Sequence, residues 1–157
     1  MSSTPPGAPS LWKGLVAGLA AGVAATAAKT LAEKLYPPRI HGEPEPPELL
    51  TERIAGHPLD HTTHLLATES IHWGFGAAAG AFYGALAEFY PAATSKAGAN
   101  FGLVLMALTH QGVLPAMGLS TPTEQQTERE HTSEAATHLI FGVVAERVRS
   151  IVRDMLD

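Results

Sequence analysis

Residues 97–123, AGANFGLVLMALTHQGVLPAMGLSTPT, decide the fold of this chain, because none of these twenty-seven residues carries a formal charge. A helix needs about 20 predominantly apolar residues to cross the hydrocarbon core of a bilayer. The stretch is therefore long enough for a membrane-spanning helix, which we place at about 97–119. Pro115 lies inside this helix and predicts a kink, and Gly118 lies near its end.

Three other segments also have helical composition. Helix 11–36 holds fifteen uncharged residues, helix 59–90 holds eighteen, and helix 133–156 holds only eleven, with Ser133 or Thr132 as its expected N-cap. We therefore predict an all-α fold, a four-helix transmembrane bundle, in which helices 59–90 and 97–119 are fully lipid-compatible and the other two are marginal. An Ala/Gly-rich soluble bundle would give a similar pattern.

The segments outside the helices are rich in proline or acidic residues. Residues 1–10 contain little that can be buried, which predicts a disordered N-terminal tail. Residues 37–58 are acidic and proline-dense, which predicts an external loop without regular structure. Residues 11–157 therefore form a single helical membrane domain.

Composition excludes several classes of function. With Lys+Arg 10 against Asp+Glu 15, the net charge of −5 does not suit nucleic-acid binding. The chain has no cysteine, so any metal must bind to histidine, carboxylate or carbonyl groups. It also lacks a P-loop, a His-Glu-x-x-His motif and a nucleophile elbow, so nothing in it indicates an enzyme.

Glycines recur at every fourth position in three of the predicted helices: Gly14, Gly18 and Gly22; Gly76, Gly80 and Gly84; Gly98 and Gly102. Ridges of small residues let helix backbones approach closely in lipid. They predict helix packing, either within the chain or against a second copy or another membrane-complex subunit.

Basic residues near the helix ends suggest the orientation. With the N-terminus in the cytoplasm, five basic residues lie inside (Lys13, Lys96, Arg147, Arg149, Arg153) and four lie outside (Lys34, Arg39, Arg53, Arg129). The arginines after the fourth helix favour both termini in the cytoplasm.

Several polar landmarks resemble the YagU family of bacterial inner-membrane proteins. They are, in chain order, Lys29–Glu33 with Pro37-Pro38-Arg39; His72 with Tyr83 and Ala87-Glu88; His110 with Pro115–Leu119; and Ser133-Glu134 with His138. The resemblance covers roughly residues 14–39 and 65–153. It implies a multi-pass inner-membrane protein associated with acid resistance, and it implies no reaction.

Four residues on three predicted helices converge at one depth in this topology: His72, His110, Glu134 and His138. Ionisable groups inside a membrane indicate function, and histidine with carboxylate suits zinc, iron or copper. We therefore predict a transition-metal site near the outer face. Haem with two histidine ligands is compatible with the same residues, but nothing selects a porphyrin.

Other polar residues are weaker candidates. Glu69 precedes His72 by three residues, and His61 and His64 share a helical face, which would suit extra ligands or an entry path. Lys29 and Glu33, spaced i and i+4, predict a structural ion pair.

Two other functions remain open for this chain. The histidine and glutamate residues would also serve proton sensing or proton conduction, because histidine titrates near neutral pH. Alternatively, the chain is a structural accessory subunit of a membrane complex.

Overall fold

The computed structural model describes residues 8–39 and 42–157, and all of their regular structure is helical. The elements are α1 (Leu11–Leu35), α2 (Pro46–Ala55), α3 (His61–Phe89), a 3₁₀ segment (Pro91–Gly98), α4 (Ala99–Leu108), a π-helical turn (Thr109–Val113), α5 (Leu114–Ala116), a 3₁₀ turn (Thr123–Gln125) and α6 (Glu128–Met155). The expectation of an all-α fold is confirmed.

The glycines of α1 and α3 form the closest helix contact of the bundle. A Cβ atom at Gly18 would lie 2.2 Å from the carbonyl oxygen of Gly80, and one at Gly84 would lie 2.1 Å from that of Gly14. A side chain at these positions would push the backbones apart. The predicted glycine ridges therefore pack against each other within the chain.

A second glycine contact joins α4 to α6. A Cβ atom at Gly102 would lie 2.0 Å from the carbonyl oxygen of His138, and one at Gly142 would lie 2.3 Å from that of Gly98. Since α6 also packs along α1, α1 and α6 form the centre of the bundle, with α3 beside α1 and α4 beside α6.

Alanines occupy much of the interior beside Tyr83 and Phe141, while many large apolar residues lie on the outside. Ala17, Ala21 and Ala25 are fully buried, whereas Val104 is 56% exposed and Leu108 is 62% exposed. A protein folded in water buries its large apolar side chains. The reversed pattern fits a bundle surrounded by lipid.

Two helical stretches are long and apolar enough to cross a membrane, Leu11–Leu35 and Pro91–Ala116. The prediction of four spanning helices is therefore corrected. Helix α3 is uncharged from Ser70 to Ala87, where its glycine residues and His72 make it too weakly apolar, and α6 carries charged residues at both ends. The two spans support a membrane location.

The acidic segment 37–58 holds a helix, contrary to the expectation of an irregular loop. Two prolines occupy the first turn of α2, where no backbone N–H partner is needed, and Gly56 ends the helix in the left-handed conformation. The predicted disordered tail falls largely on residues 1–7, which lie outside the described residues.

Helix α6 begins five residues earlier than predicted. Its N-cap is Thr127, whose hydroxyl accepts a hydrogen bond from the backbone N–H of Glu130. Ser133 is buried instead and donates a hydrogen bond to the carbonyl of Tyr36. The earlier start adds a full turn of charged residues to the N-terminal end of α6.

The two ends of the described chain meet at one end of the bundle. Lys13 and Asp157 form an ion pair with an N–O distance of 2.9 Å. The backbone N–H of Ser10 donates to Glu88, which also binds the guanidinium of Arg153. The other end of the bundle carries α2 and the candidate site.

Candidate metal centre

His110 lies in the π-helical turn that precedes Pro115. Proline has no N–H to donate to the carbonyl four residues earlier, so the helix widens there. The carbonyls of Gln111 and His110 accept hydrogen bonds from the side chains of Thr123 (3.2 Å) and Gln126 (3.3 Å) instead. These bonds hold the loop after α5 against the turn that carries His110.

His110, Glu134 and His138 form one group, which we call the His/Glu cluster. Each offers one ligand atom within 4.8 Å of the other two. The Nδ1 atom of His110 lies 3.2 Å from a carboxylate oxygen of Glu134, and the two imidazole rings lie 4.9 Å apart between centroids. Glu134 and His138 are both 3% exposed, whereas the side chain of His110 is 15% exposed.

The carboxylate of Glu134 lacks hydrogen-bond donors. Both of its oxygens are buried, and neither receives a directed hydrogen bond from the described residues, although the rings of His110 and His138 approach within 3.5 Å. A buried acceptor without a donor costs about 1–3 kcal/mol. The unpaired oxygens therefore favour an additional binding partner at this position.

The tautomer of His138 is set by its own helix. Its Nδ1 atom lies 2.8 Å from the backbone carbonyl of Glu134, which can only accept, so Nδ1 carries the proton. The Nε2 atom then keeps its lone pair for a ligand. This is the arrangement in which metal-binding histidines are usually held.

The charges around Glu134 are unbalanced. Lys29 and Arg39 each lie 3.9 Å from its carboxylate. The same two cations also contact the carboxylates of Glu33, Glu45 and Glu130. Two cations thus face four carboxyl groups, too few to neutralise all four in their ionised form, and a bound cation would offset the remainder.

The donor set fits zinc, iron or copper. Nitrogen and oxygen ligands of a tetrahedral zinc lie roughly 3.4 Å from each other, given bonds of roughly 2.1 Å. The observed 3.2 Å between His110 and Glu134 is close to that value. Three protein ligands leave a fourth coordination position open.

A cavity of about 560 Å³ lies beside the cluster. It is lined by residues of α3, α4 and α5, together with residues of α1 and α6. We call it the cleft. At the other end of the bundle, α3 and α4 meet at Tyr83 and Phe101, whose rings lie 4.3 Å apart. His110 and His138 both line the cleft, so the cluster faces an open space.

A family model described as "Protein of unknown function (DUF1440)" matches residues 23–147, which include most of α1 and all of the His/Glu cluster. The chain belongs to the DUF1440 family. No curated protein and no solved structure matches it.

In this DUF1440 chain the four predicted ligands do not all meet. His72 lines the cleft, but it is not in the His/Glu cluster. Its Nε2 atom lies 3.0 Å from the hydroxyl of Thr30 on α1. The wider helix at His110 turns that residue toward α6, whereas His72 faces α1.

The secondary candidates lie apart from the cluster. Glu69 accepts a hydrogen bond from the indole N–H of Trp73 on the exposed side of α3, and His61 is exposed at the start of the same helix. His64 groups with Glu48 and Glu52 of α2, within 4.8 Å of each other. Lys29 and Glu33 are in contact as an ion pair.

Glu130 was missed by the sequence reasoning. It is 5% exposed, lies 3.4 Å from Arg39 and precedes Glu134 by one helical turn. The i, i+4 spacing of the two glutamates would have indicated it if α6 had been expected to start at Glu128.

Proposed function

We propose that this DUF1440 protein is a multi-pass membrane protein whose His110, Glu134 and His138 bind a transition metal ion. The observation that carries the proposal is the buried carboxylate of Glu134, which lies between two imidazoles and accepts no directed hydrogen bond from the described part of the chain. A metal ion would supply the missing electrophile and neutralise the surplus negative charge.

Zinc is the metal that best suits this site. It accepts mixed nitrogen and oxygen ligands in a tetrahedral arrangement and needs no particular redox environment. Iron and copper accept the same donors, so the test must include them. The open fourth position is typical of sites that bind a further ligand.

The first experiment is elemental analysis, with a visible spectrum, of untagged protein purified in detergent. We expect nearly one equivalent of zinc, iron or copper per chain; a Soret band would indicate haem instead. Cobalt added to the metal-free protein should give the intense visible bands of a tetrahedral site, which reports coordination without any substitution. Protein that is metal-free and takes up no metal on titration would refute the proposal.

Substitutions locate the site within the bundle. Glu134→Gln and His138→Ala should each reduce metal occupancy at least tenfold. His131→Ala is a matched control, because it removes a histidine from the same helix, outside the cluster. His72→Ala should retain the metal, since His72 faces Thr30; loss of metal there would restore the ligand set predicted from sequence.

Proton handling is the competing function for the same residues. The enclosed Glu134, with an imidazole on either side, favours it. If the purified protein binds no metal, a pH-dependent activity that disappears in Glu134→Gln would support this function. The acid resistance implied by the YagU resemblance would fit it.

We further propose that the protein lies in the bacterial inner membrane with both termini in the cytoplasm. The end of the bundle where the termini meet carries Lys13, Arg149 and Arg153, and the arginines close to the end of α6 support a cytoplasmic position by the positive-inside rule. Because the chain has no cysteine, single cysteines can report sidedness. A membrane-impermeant maleimide should label Glu43→Cys in intact cells and label Asp154→Cys only after lysis.

A role as an accessory subunit of a membrane complex, or as a homo-oligomer, stays a prediction. The glycine ridges expected to bind a partner are used between helices of the chain itself. A partner would therefore bind to the exposed apolar faces. Co-purification of a second protein in stoichiometric amount, or a dimer in mild detergent, would support this role.

A further inference from the structure

The cleft has an apolar part and a polar part. The apolar part is lined by Ile71 and Phe75 of α3, and by Leu105, Val113 and Phe141. The cleft's volume of about 560 Å³ is in the range of small-molecule sites, about 300–1,000 Å³. Phe75 and Val113 are each 53% exposed, so the apolar walls continue onto the outer faces of the helices.

The polar part lies at the end nearest α2. Lys29 and Glu33 of α1, together with His72 and His110, line this end, and Pro46 of α2 closes it. The deeper end is lined by Thr26, Gly76, Leu105 and Phe141. A molecule with a polar head and an apolar tail would thus lie parallel to the lipids around it.

A metal held by the His/Glu cluster would keep its open coordination position on the side that faces the polar end of the cleft. His110 and His138 both line the cleft, whereas Glu134 lies behind them. A head group that reaches the two imidazoles can therefore supply the fourth ligand. Oxygen from a carboxylate is a normal ligand for zinc.

We propose that the cleft binds a single-chain amphiphile with a carboxylate head, such as a fatty acid, whose head completes the coordination of the metal held by His110, Glu134 and His138. This proposal rests on the proposed metal site. The surplus of negative charge around Glu134 would repel a carboxylate from the metal-free protein, so binding depends on the metal.

The probe for this proposal is a fluorescent polyene fatty acid, titrated into the protein in a non-ionic detergent with and without one equivalent of zinc. We expect saturable binding to the zinc form and at least tenfold weaker binding to the metal-free form. The corresponding fatty alcohol should bind at least tenfold more weakly than the acid to the zinc form, because it lacks the anionic ligand.

Filling the cleft separates this proposal from the metal site. Val113→Trp should lower the affinity for the fatty acid at least tenfold while one zinc per chain is retained. Val104→Trp is the matched control, since Val104 is as exposed but does not line the cleft. Val104→Trp should leave the affinity for zinc and the affinity for the fatty acid unchanged.

The outcomes distinguish failure of the amphiphile site from failure of the metal site. Zinc binding without fatty acid binding overturns the amphiphile site and leaves the metal site intact. The amphiphile site is also overturned if the fatty acid binds equally with and without zinc, or equally to Val113→Trp and to the wild type. Equal binding of the fatty alcohol and the fatty acid to the zinc form overturns it as well. Failure to bind zinc, iron or copper overturns the metal site and the amphiphile proposal with it.

Discussion

Substituting Gly80 with alanine tests the contact between α1 and α3. A Cβ atom at this position would lie 2.3 Å from the Cα of Gly22 and 2.4 Å from the carbonyl oxygen of Gly18. Carbon atoms pack best at about 3.5–4.0 Å, so the two helices must separate by about 1.2 Å or more. Overpacking of this kind costs about 1–3 kcal/mol, a factor of about 5 to 150 in the unfolding equilibrium constant.

The assay is unfolding of the detergent-solubilised protein, by heat or by increasing SDS. At about 2–4 °C per kcal/mol for a chain of this size, the apparent Tm of Gly80→Ala should fall by about 2–12 °C. The contact with α6 is not altered directly, so a cooperative transition should remain.

Gly74→Ala is the control, because it adds a methyl group to the same helix at a position where no other part of the described chain lies within 4 Å, apart from the helix's own backbone and the adjacent residues. Alanine is the better helix former, and this variant should gain about 0.5–1 kcal/mol. If Gly80→Ala were as stable as the wild type, or if Gly74→Ala lost as much stability, close glycine packing between α1 and α3 would be refuted.

Three further substitutions test other features of the bundle. Tyr83→Phe removes the hydrogen bond that the phenol donates to Glu146 (2.7 Å) and should cost about 1.5–3 kcal/mol, measured by the same unfolding assay. Gly98→Ala places a side chain at a φ of +83° and should lower stability by about 1–3 kcal/mol, whereas a neutral result would contradict that backbone conformation. The hydroxyl and the amide of Thr63 hydrogen-bond the carboxylate of Asp60 and lower its pKa, so the carboxylate stabilises the fold above its unfolded pKa and loses this effect as pH falls through the folded pKa. The stability difference between wild type and Asp60→Asn should therefore decrease as the pH falls into the acid range. A difference that is the same at pH 7 and pH 2 would show that the charge of the Asp60 N-cap does not stabilise the fold.

Helical structure and glycine packing could be predicted from sequence because both depend on local patterns. The spacing of Gly18 and Gly22 places them on one face of a helix whatever surrounds them. The start of α6 was misplaced because Thr127 is followed by several polar residues, which hide an N-cap that only the hydrogen bond to Glu130 reveals. Helix α2 was missed because prolines in a first turn look the same as prolines in a loop.

The candidate site was predicted in part for the same reason. Glu134 and His138 are one helical turn apart, so their common face follows from spacing alone. His72 was expected to join them because the predicted topology placed it at the same depth as the other three residues. Depth does not determine which way a residue faces around the helix axis, and His72 faces Thr30.

By itself, the sequence determined that this protein is helical, that its helices pack through glycine, and that cysteine chemistry is absent, since the chain has no cysteine. These properties depend on composition and on spacing along single helices. Only the tertiary structure decided which polar residues meet: the π-helical turn before Pro115 brings His110 to Glu134, and α1 brings Lys29 to the same carboxylate. Such contacts depend on the rotation of separate helices about their axes, and the packing of the whole bundle fixes that rotation.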